Sequence, residues 1–190
     1  MDRRTRSSLI FLGLVVALVA GVLLIQAAST ADHGRESAPG SSARPAVLDD
    51  AEIATVVGVS DGDTIRVRLA GGAVERVRYI GIDAPELSHP EDGIAAECHG
   101  DEATRANEGL VARQEVLLER DISDRDRNGR LLRHVWVGGG GGGWLLVSRA
   151  LVAGGHAIAR SYPPDTHWDS ELAAAEEVAR RAGAGQWGAC

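Results

Sequence analysis

The stretch Glu52–Glu86, EIATVVGVSDGDTIRVRLAGGAVERVRYIGIDAPE, decides the fold. It opens on a short β-branched run, Glu52–Val59, which stops at Ser60-Asp61-Gly62-Asp63, residues that favour a turn. Thr64–Leu69 then alternates. Ile65, Val67 and Leu69 are apolar and Arg66 and Arg68 charged, the pattern of a half-buried strand. Gly71-Gly72 turns the chain into a third strand, Val74–Ile82. Three strands joined by tight turns make an antiparallel meander. Arg78 shares the parity of Ile80 and Ile82, where a buried aliphatic is expected. A charge there needs a partner, either a phosphate or one of the nearby Asp residues.

Downstream, Asp83–Gly100 reads as a loop with two prolines, and Asp101–Gln114 as a helix with Ala103, Leu110 and Val111 on one side. Val116–Ile122 and Leu131–Val137 are two further strands around the turn Asp126-Arg127-Asn128-Gly129. Gly138–Gly143 lacks the Gly-x-x-x-x-Gly-Lys spacing of a phosphate cradle and reads as a flexible loop. Trp144–Ala153 is apolar enough for a buried helix closed by Gly154-Gly155. A last helix is expected from Thr166, where Thr166-His167-Trp168-Asp169 is similar to a capping box, with Leu172, Ala175, Val178, Ala179 and Ala182 at helical spacing. This order is α+β, and five short strands in a curled meander suit an OB-type barrel.

The 190 residues carry 20 basic and 27 acidic side chains, a net charge of −7. Every basic residue is Arg and none is Lys, which fits a GC-rich coding bias, so the Arg count alone identifies nothing. A 44% hydrophobic content excludes wholesale disorder, and the acidic balance excludes a protein that coats nucleic acid by charge alone. Arg3, Arg4 and Arg6 precede an apolar run, Leu9–Ile25, followed by small residues. Residues 1–31 therefore read as a cleaved signal peptide or an uncleaved membrane anchor (through 9–28), and both place the remainder outside the cytoplasm. Residues 32–50, rich in Ser, Pro, Gly and charge, read as a tether, and 51–190 as the folded domain. Without residues 1–31, 17 basic and 26 acidic side chains remain, a net −9.

Charged clusters fall at element ends: Asp61-Gly62-Asp63-Thr64, Asp83-Ala84-Pro85-Glu86 and Asp126-Arg127-Asn128-Gly129-Arg130. Carboxylates at adjacent strand ends can converge on a hard cation, which takes several oxygen ligands. Taken together, Asp61-Gly62-Asp63-Thr64-Ile65-x-Val67, then Arg78-x-x-x-Ile82-Asp83-x-Pro85-Glu86, closely resembles the first signature of the staphylococcal nuclease (thermonuclease) family. Asp126-Arg127-x-Gly129-Arg130-x-Leu132-x-x-Val135-Trp136 resembles the second, and Leu151-Val152-x-x-Gly155, Tyr162-Pro163 and Thr166-His167 extend the likeness over about residues 52–188. The resemblance implies a five-stranded OB-fold barrel with three helices and Ca²⁺-dependent hydrolysis of the phosphodiester backbone in DNA and RNA. It implies Asp63, Asp83 and the carbonyl of Ala84 as metal ligands, Ala84 standing where Thr is usual. Glu86 matches the general base, and Arg78 and Arg130 match the phosphate-gripping arginines. Arg127 and Tyr162 match substrate-binding positions. No protein partner is implied, and the domain is expected to act as a monomer.

Several positions depart from the pattern. Tyr79 and Gly81 interrupt an aliphatic strand, Asn128 and Arg133 replace other residue types, and Arg160 falls where an aromatic is common, leaving Tyr162 as the cleft aromatic. These departures leave open an alternative, a catalytically weak or inactive barrel that only binds nucleic acid. In an exported chain the pair Cys98 and Cys190 suggests a disulfide, and exported relatives often show a similar Glu-Cys-x-Gly and terminal Trp-Gly-x-Cys. The six histidines show no zinc-ligand spacing, and His99 reads as a surface-loop residue.

Overall fold

The computed structural model describes residues 48–88, 95–138 and 143–190. The signal or anchor expected over 1–31, most of the tether and most of the glycine run lie outside the described residues. Among the described residues, no helix is long and apolar enough to cross a membrane. Leu48, at the end of the expected tether, is fully buried with Leu117, Trp136 and Leu146.

The strands are β1 (Glu52–Val59), β2 (Thr64–Leu69), β3 (Val74–Tyr79), β4 (Ile82–Asp83), β5 (Glu115–Glu119), β6 (Leu131–Gly138), β7 (Trp144–Leu146) and β8 (Ile158–Ala159). The helices are α1 (Gly100–Val111), α2 (Val147–Ala153), α3 (Asp169–Ala182) and a single turn, α4 (Gln186–Ala189), beyond the three expected. β1 pairs antiparallel with β2 and β5, β2 with β3, and β5 with β6. A parallel pairing of β3 with β6, Arg78 opposite Leu132, closes five strands into a barrel. The fold is α+β, a closed five-stranded barrel of OB type with helices packed around it.

Alternation fills the barrel. Ile65 and Val67 from β2, Val77 and Tyr79 from β3, and Val116, Leu118 and Val135 from β5 and β6 are essentially inaccessible to water. Each such side chain contributes about 1.5–3 kcal/mol by burial. α1 presents Ala103, Asn107 and Val111 to the core, and α3 presents Leu172, Ala175 and Ala179. Val178, expected on the apolar face of α3, points to solvent.

Three element boundaries differ from expectation. The third strand does not run to Ile82: Gly81 adopts φ 82°, a left-handed turn that residues with a Cβ disfavour, and it separates β3 from β4. The break changes the parity, so Val77 and Tyr79 enter the core while Arg78 faces out of the barrel. The apolar run from Trp144 begins as a strand, pairing Leu146 with Trp136, and becomes helical only at Val147. The last helix begins at Asp169 with no side-chain cap; Thr166 offers only its carbonyl, which accepts the Asp169 N–H at 3.2 Å.

Candidate active site

The turn between β1 and β2 presents Asp63, and the end of β4 presents Asp83. Both carboxylates meet one guanidinium, that of Arg78 at the end of β3. Arg78 Nη1 pairs with Asp63 Oδ2, and Nη2 lies 2.8 Å from Asp83 Oδ1 and 3.2 Å from the Ile82 carbonyl. Of the two partners left open for Arg78, the structure shows the internal ion pair. Asp63 is set in place by two more donors: the Ala84 N–H to Oδ2 at 2.9 Å and the Thr64 hydroxyl to Oδ1 at 3.1 Å. The other oxygen of Asp83 accepts from Arg160 Nη1 at 2.7 Å.

The turn carrying Asp61 and Asp63 is anchored from behind. Asn107 Nδ2 donates to the Asp61 carbonyl at 2.9 Å, and the Tyr79 hydroxyl donates to Asn107 Oδ1 at 2.8 Å. Burial keeps Tyr79 protonated well above its ordinary range. Burial also raises the Asp61 carboxyl, with Arg78 and Arg130 opposing. Asn107 lies outside the sequence motifs. The signal for Asn107 was a polar residue in the i, i+4 stripe Ala103-Asn107-Val111, which folds inward.

Glu86 follows on an exposed segment whose backbone is clamped by Glu97. The Glu97 N–H donates to the Glu86 carbonyl at 2.9 Å, and the Glu86 N–H donates to Glu97 Oε2 at 3.1 Å. Gly100 permits this approach, because a Cβ there would lie 2.6 Å from the Glu86 carbonyl oxygen. Cys98, between them, is bonded to Cys190. His99 is not a free surface residue: its Nε2 lies 2.9 Å from Nδ1 of His156, a half-buried pair bridging the start of α1 to the turn after α2. The Glu86 carboxyl is raised above its ordinary value by burial first and by the charge of Asp61 second, with Asp83 and Glu97 adding to this and Arg78 opposing.

Across from the carboxylates, a cleft of about 480 Å³ is lined by Arg78, Arg127, Arg130 and Tyr162, among others. Arg130 is oriented by Asp126, whose Oδ2 accepts from Arg130 Nε at 2.6 Å and whose Oδ1 accepts the Asn128 and Arg130 N–H groups, each at 2.9 Å. Burial would raise the Asp126 carboxyl, but its bonds to Arg130 pull it below the ordinary range. Asp63, Asp83 and Glu86 do not line this cleft; Arg78 is the residue common to both halves of the site.

The donors that the family resemblance assigns to a cation are oxygens throughout: the carboxylates of Asp63 and Asp83 and the carbonyl of Ala84. Two carboxylates already converge on one positive group, and such a hard-oxygen set fits Ca²⁺ or a similar dication. Among the described residues, no three His, Cys, Asp or Glu side chains stand close enough to bind a metal by themselves.

A second polar cluster forms around His134 in the middle of β6 and includes Asp165, which also lines the cleft. His134 is buried, its Nε2 3.6 Å from Asp121 Oδ2, while the Asp165 carboxylate accepts the N–H groups of Ile122 and Ser123 at 2.9 and 2.6 Å. Burial pushes the His134 imidazole down to about 4, only partly offset by Asp121. The unfolded chain therefore binds the extra proton first. The stabilising effect of a neutral His134 is complete above pH 6.5 and is lost as pH falls towards 4, by up to about 3 kcal/mol. Urea unfolding at pH 7 and 4.5 is expected to show this loss, and His134→Phe to flatten it. An unchanged slope in the variant would show that other groups carry the dependence.

The description "Staphylococcal nuclease homologue" belongs to the family model that matches residues 76–189. The chain is 32% identical over 126 residues to the thermonuclease of Staphylococcus hyicus, covering 66% of this chain and 70% of that protein. It is 36% identical over 122 residues to the SPbeta prophage-derived endonuclease YokF of Bacillus subtilis, covering 63% of this chain but only 38% of the relative. Endonuclease YncB of the same organism is 34% identical over 122 residues, 63% of this chain and 54% of the relative. The chain thus spans between 38% and 70% of the lengths of these relatives. On the strength of the match over residues 76–189, this chain belongs to the staphylococcal nuclease homologues.

Proposed function

We propose that the protein is an exported, calcium-dependent nuclease that hydrolyses phosphodiester bonds in DNA or RNA. The observation that carries this is the sharing of Arg78 between Asp63 and Asp83 beside Glu86, with Arg130 across the cleft. The names of the relatives, thermonuclease and endonuclease, support the same reading and point to cuts within a strand.

Each part has a physical role. A phosphodiester gathers negative charge on its free oxygens as water attacks. Arg78 and Arg130 stay protonated and present planar forks that bind two oxygens each. Glu86 takes the proton of the attacking water. The new bond joins the water oxygen to phosphorus, the bond to the ester oxygen breaks, and that oxygen is protonated from solvent. Asp63, Asp83 and the Ala84 carbonyl would hold Ca²⁺, which would supply Lewis-acid stabilisation to the phosphate oxygens. The apolar run Leu9–Ile25 and the Cys98–Cys190 bond support export.

The test uses the purified protein with single-stranded DNA and with RNA, first in millimolar calcium and then in chelator. Cleavage that needs calcium and disappears with chelator is the expected result. Cleavage surviving the chelator would remove calcium from the mechanism. Binding without cleavage would leave a nucleic-acid-binding barrel in place of an enzyme.

A further inference from the structure

We infer that Arg160 is a further phosphate-binding residue, one that grips a backbone phosphate next to the bond being cut; this rests on the nuclease reading above. The position of its backbone is fixed. β8 pairs antiparallel with β4, Asp83 opposite Ile158, and the Arg160 N–H donates to the Gly81 carbonyl at 2.9 Å. From there the guanidinium reaches two places at once: Nη1 lies 2.7 Å from Asp83 Oδ2, and the group lies 5.5 Å from the centre of the Tyr162 ring. Asp83 belongs to the carboxylate pair and Tyr162 to the wall of the cleft. Arg160 therefore sits on the rim where the two halves of the site meet.

The two arginines on Asp83 differ in freedom. The Arg78 side chain is 13% exposed and tied to both carboxylates, whereas that of Arg160 is 56% exposed and, among the described residues, has Asp83 as its single carboxylate partner. An exposed ion pair of this kind is weak and exchanges readily. A phosphate offers a guanidinium two parallel hydrogen bonds and displaces such a carboxylate contact. Arg160 is not itself in the cleft lining, but its guanidinium stays over the ring of Tyr162, which is. With Arg78, Arg127 and Arg130 already lining the cleft, Arg160 extends the basic track beyond a single phosphate. An overall net charge of −7 confines attraction for a polyanion to this track.

The experiment reads salt dependence. Glu86→Gln serves as the parent because it halts turnover, and binding to a labelled single-stranded DNA 12-mer is followed by anisotropy in calcium from about 50 to 200 mM salt. Arg160→Gln is expected to raise Kd several-fold and to lower the slope of log Kd against log salt by about 0.7, one phosphate contact on a single strand. Arg160→Lys is expected to retain the slope and Arg160→Tyr to lose it. With Glu86 intact, the loss in Arg160→Gln falls on KM more than on kcat. An Arg160→Gln protein that melts like its parent and keeps the full slope would overturn the assignment, leaving Arg160 as a neutraliser of Asp83. If the unmodified protein neither cleaves nor binds in a salt-dependent way, the nuclease reading itself fails. If it does both and only the Arg160 series is silent, the failure is confined to this residue.

Discussion

Arg130→Ala is expected to lower kcat for cleavage of single-stranded DNA by about 10³-fold, with a much smaller effect on stability. The size follows from what Arg130 is placed to do. Asp126 engages only its Nε, so both Nη groups are available to the cleft, with no other hydrogen-bond partner among the described residues. A donor fork pre-set by a carboxylate does not have to reorganise when charge builds on the phosphate, and such contacts are worth most in the transition state. Arg130→Lys keeps the positive charge but loses both the fork and the Nε bond to Asp126, and it is expected to recover only a small part of the rate. The turn survives either change, because Asp126 still accepts the backbone N–H groups of Asn128 and residue 130. Steady-state kinetics on the two variants settle the matter. A loss confined to KM would assign Arg130 to ground-state binding and not to the reaction.

The double variant Cys98→Ser/Cys190→Ser is expected to lose about 4–5 kcal/mol of unfolding free energy, since the bond closes a loop with a sequence separation of 92. The entropy of that loop in the unfolded chain is the source of the effect. Other contacts hold the same tail: the Gln186 N–H donates to the Gly155 carbonyl at 2.9 Å, and Arg180 lies over the Trp187 ring at 4.1 Å. These keep the short terminal helix near its place in the variant. Cys98 also adjoins Glu97, whose two bonds to the Glu86 backbone position that carboxylate. Urea unfolding of the oxidised protein against the double variant measures the difference, and a loss below about 1 kcal/mol would mean that the tail is held by packing alone.

Much of the barrel is legible because strands of alternating character have one solution when one face is buried. Ile65, Val67 and Leu69 in β2 fall where that rule puts them. The rule fails where the chain changes direction inside an apolar run. Gly81 breaks the third strand, and with it the parity that would have placed Arg78 beside Ile80 and Ile82. Trp144–Leu146 is a strand because β6 offers a free edge, a tertiary fact that a short apolar run does not carry. The site divides in the same way. Asp63, Asp83, Glu86, Arg78 and Arg130 are visible as spaced charges at element ends. Their supports, Asn107 beneath the first turn, Glu97 beside Glu86 and Asp126 behind Arg130, become visible only when segments far apart in sequence are folded together.

The parallel pairing of β3 with β6 has a consequence for when the cleft comes into being. Arg78 and Arg130 are 52 positions apart, and nothing local to either brings them to the same cleft. The pairing of Arg78 with Leu132 fixes their separation by backbone register, so a slip of one residue would turn Arg78 into the barrel interior. The arginine pair therefore exists only after the barrel has shut. A chain still extended holds both arginines and lacks the cleft that they line together.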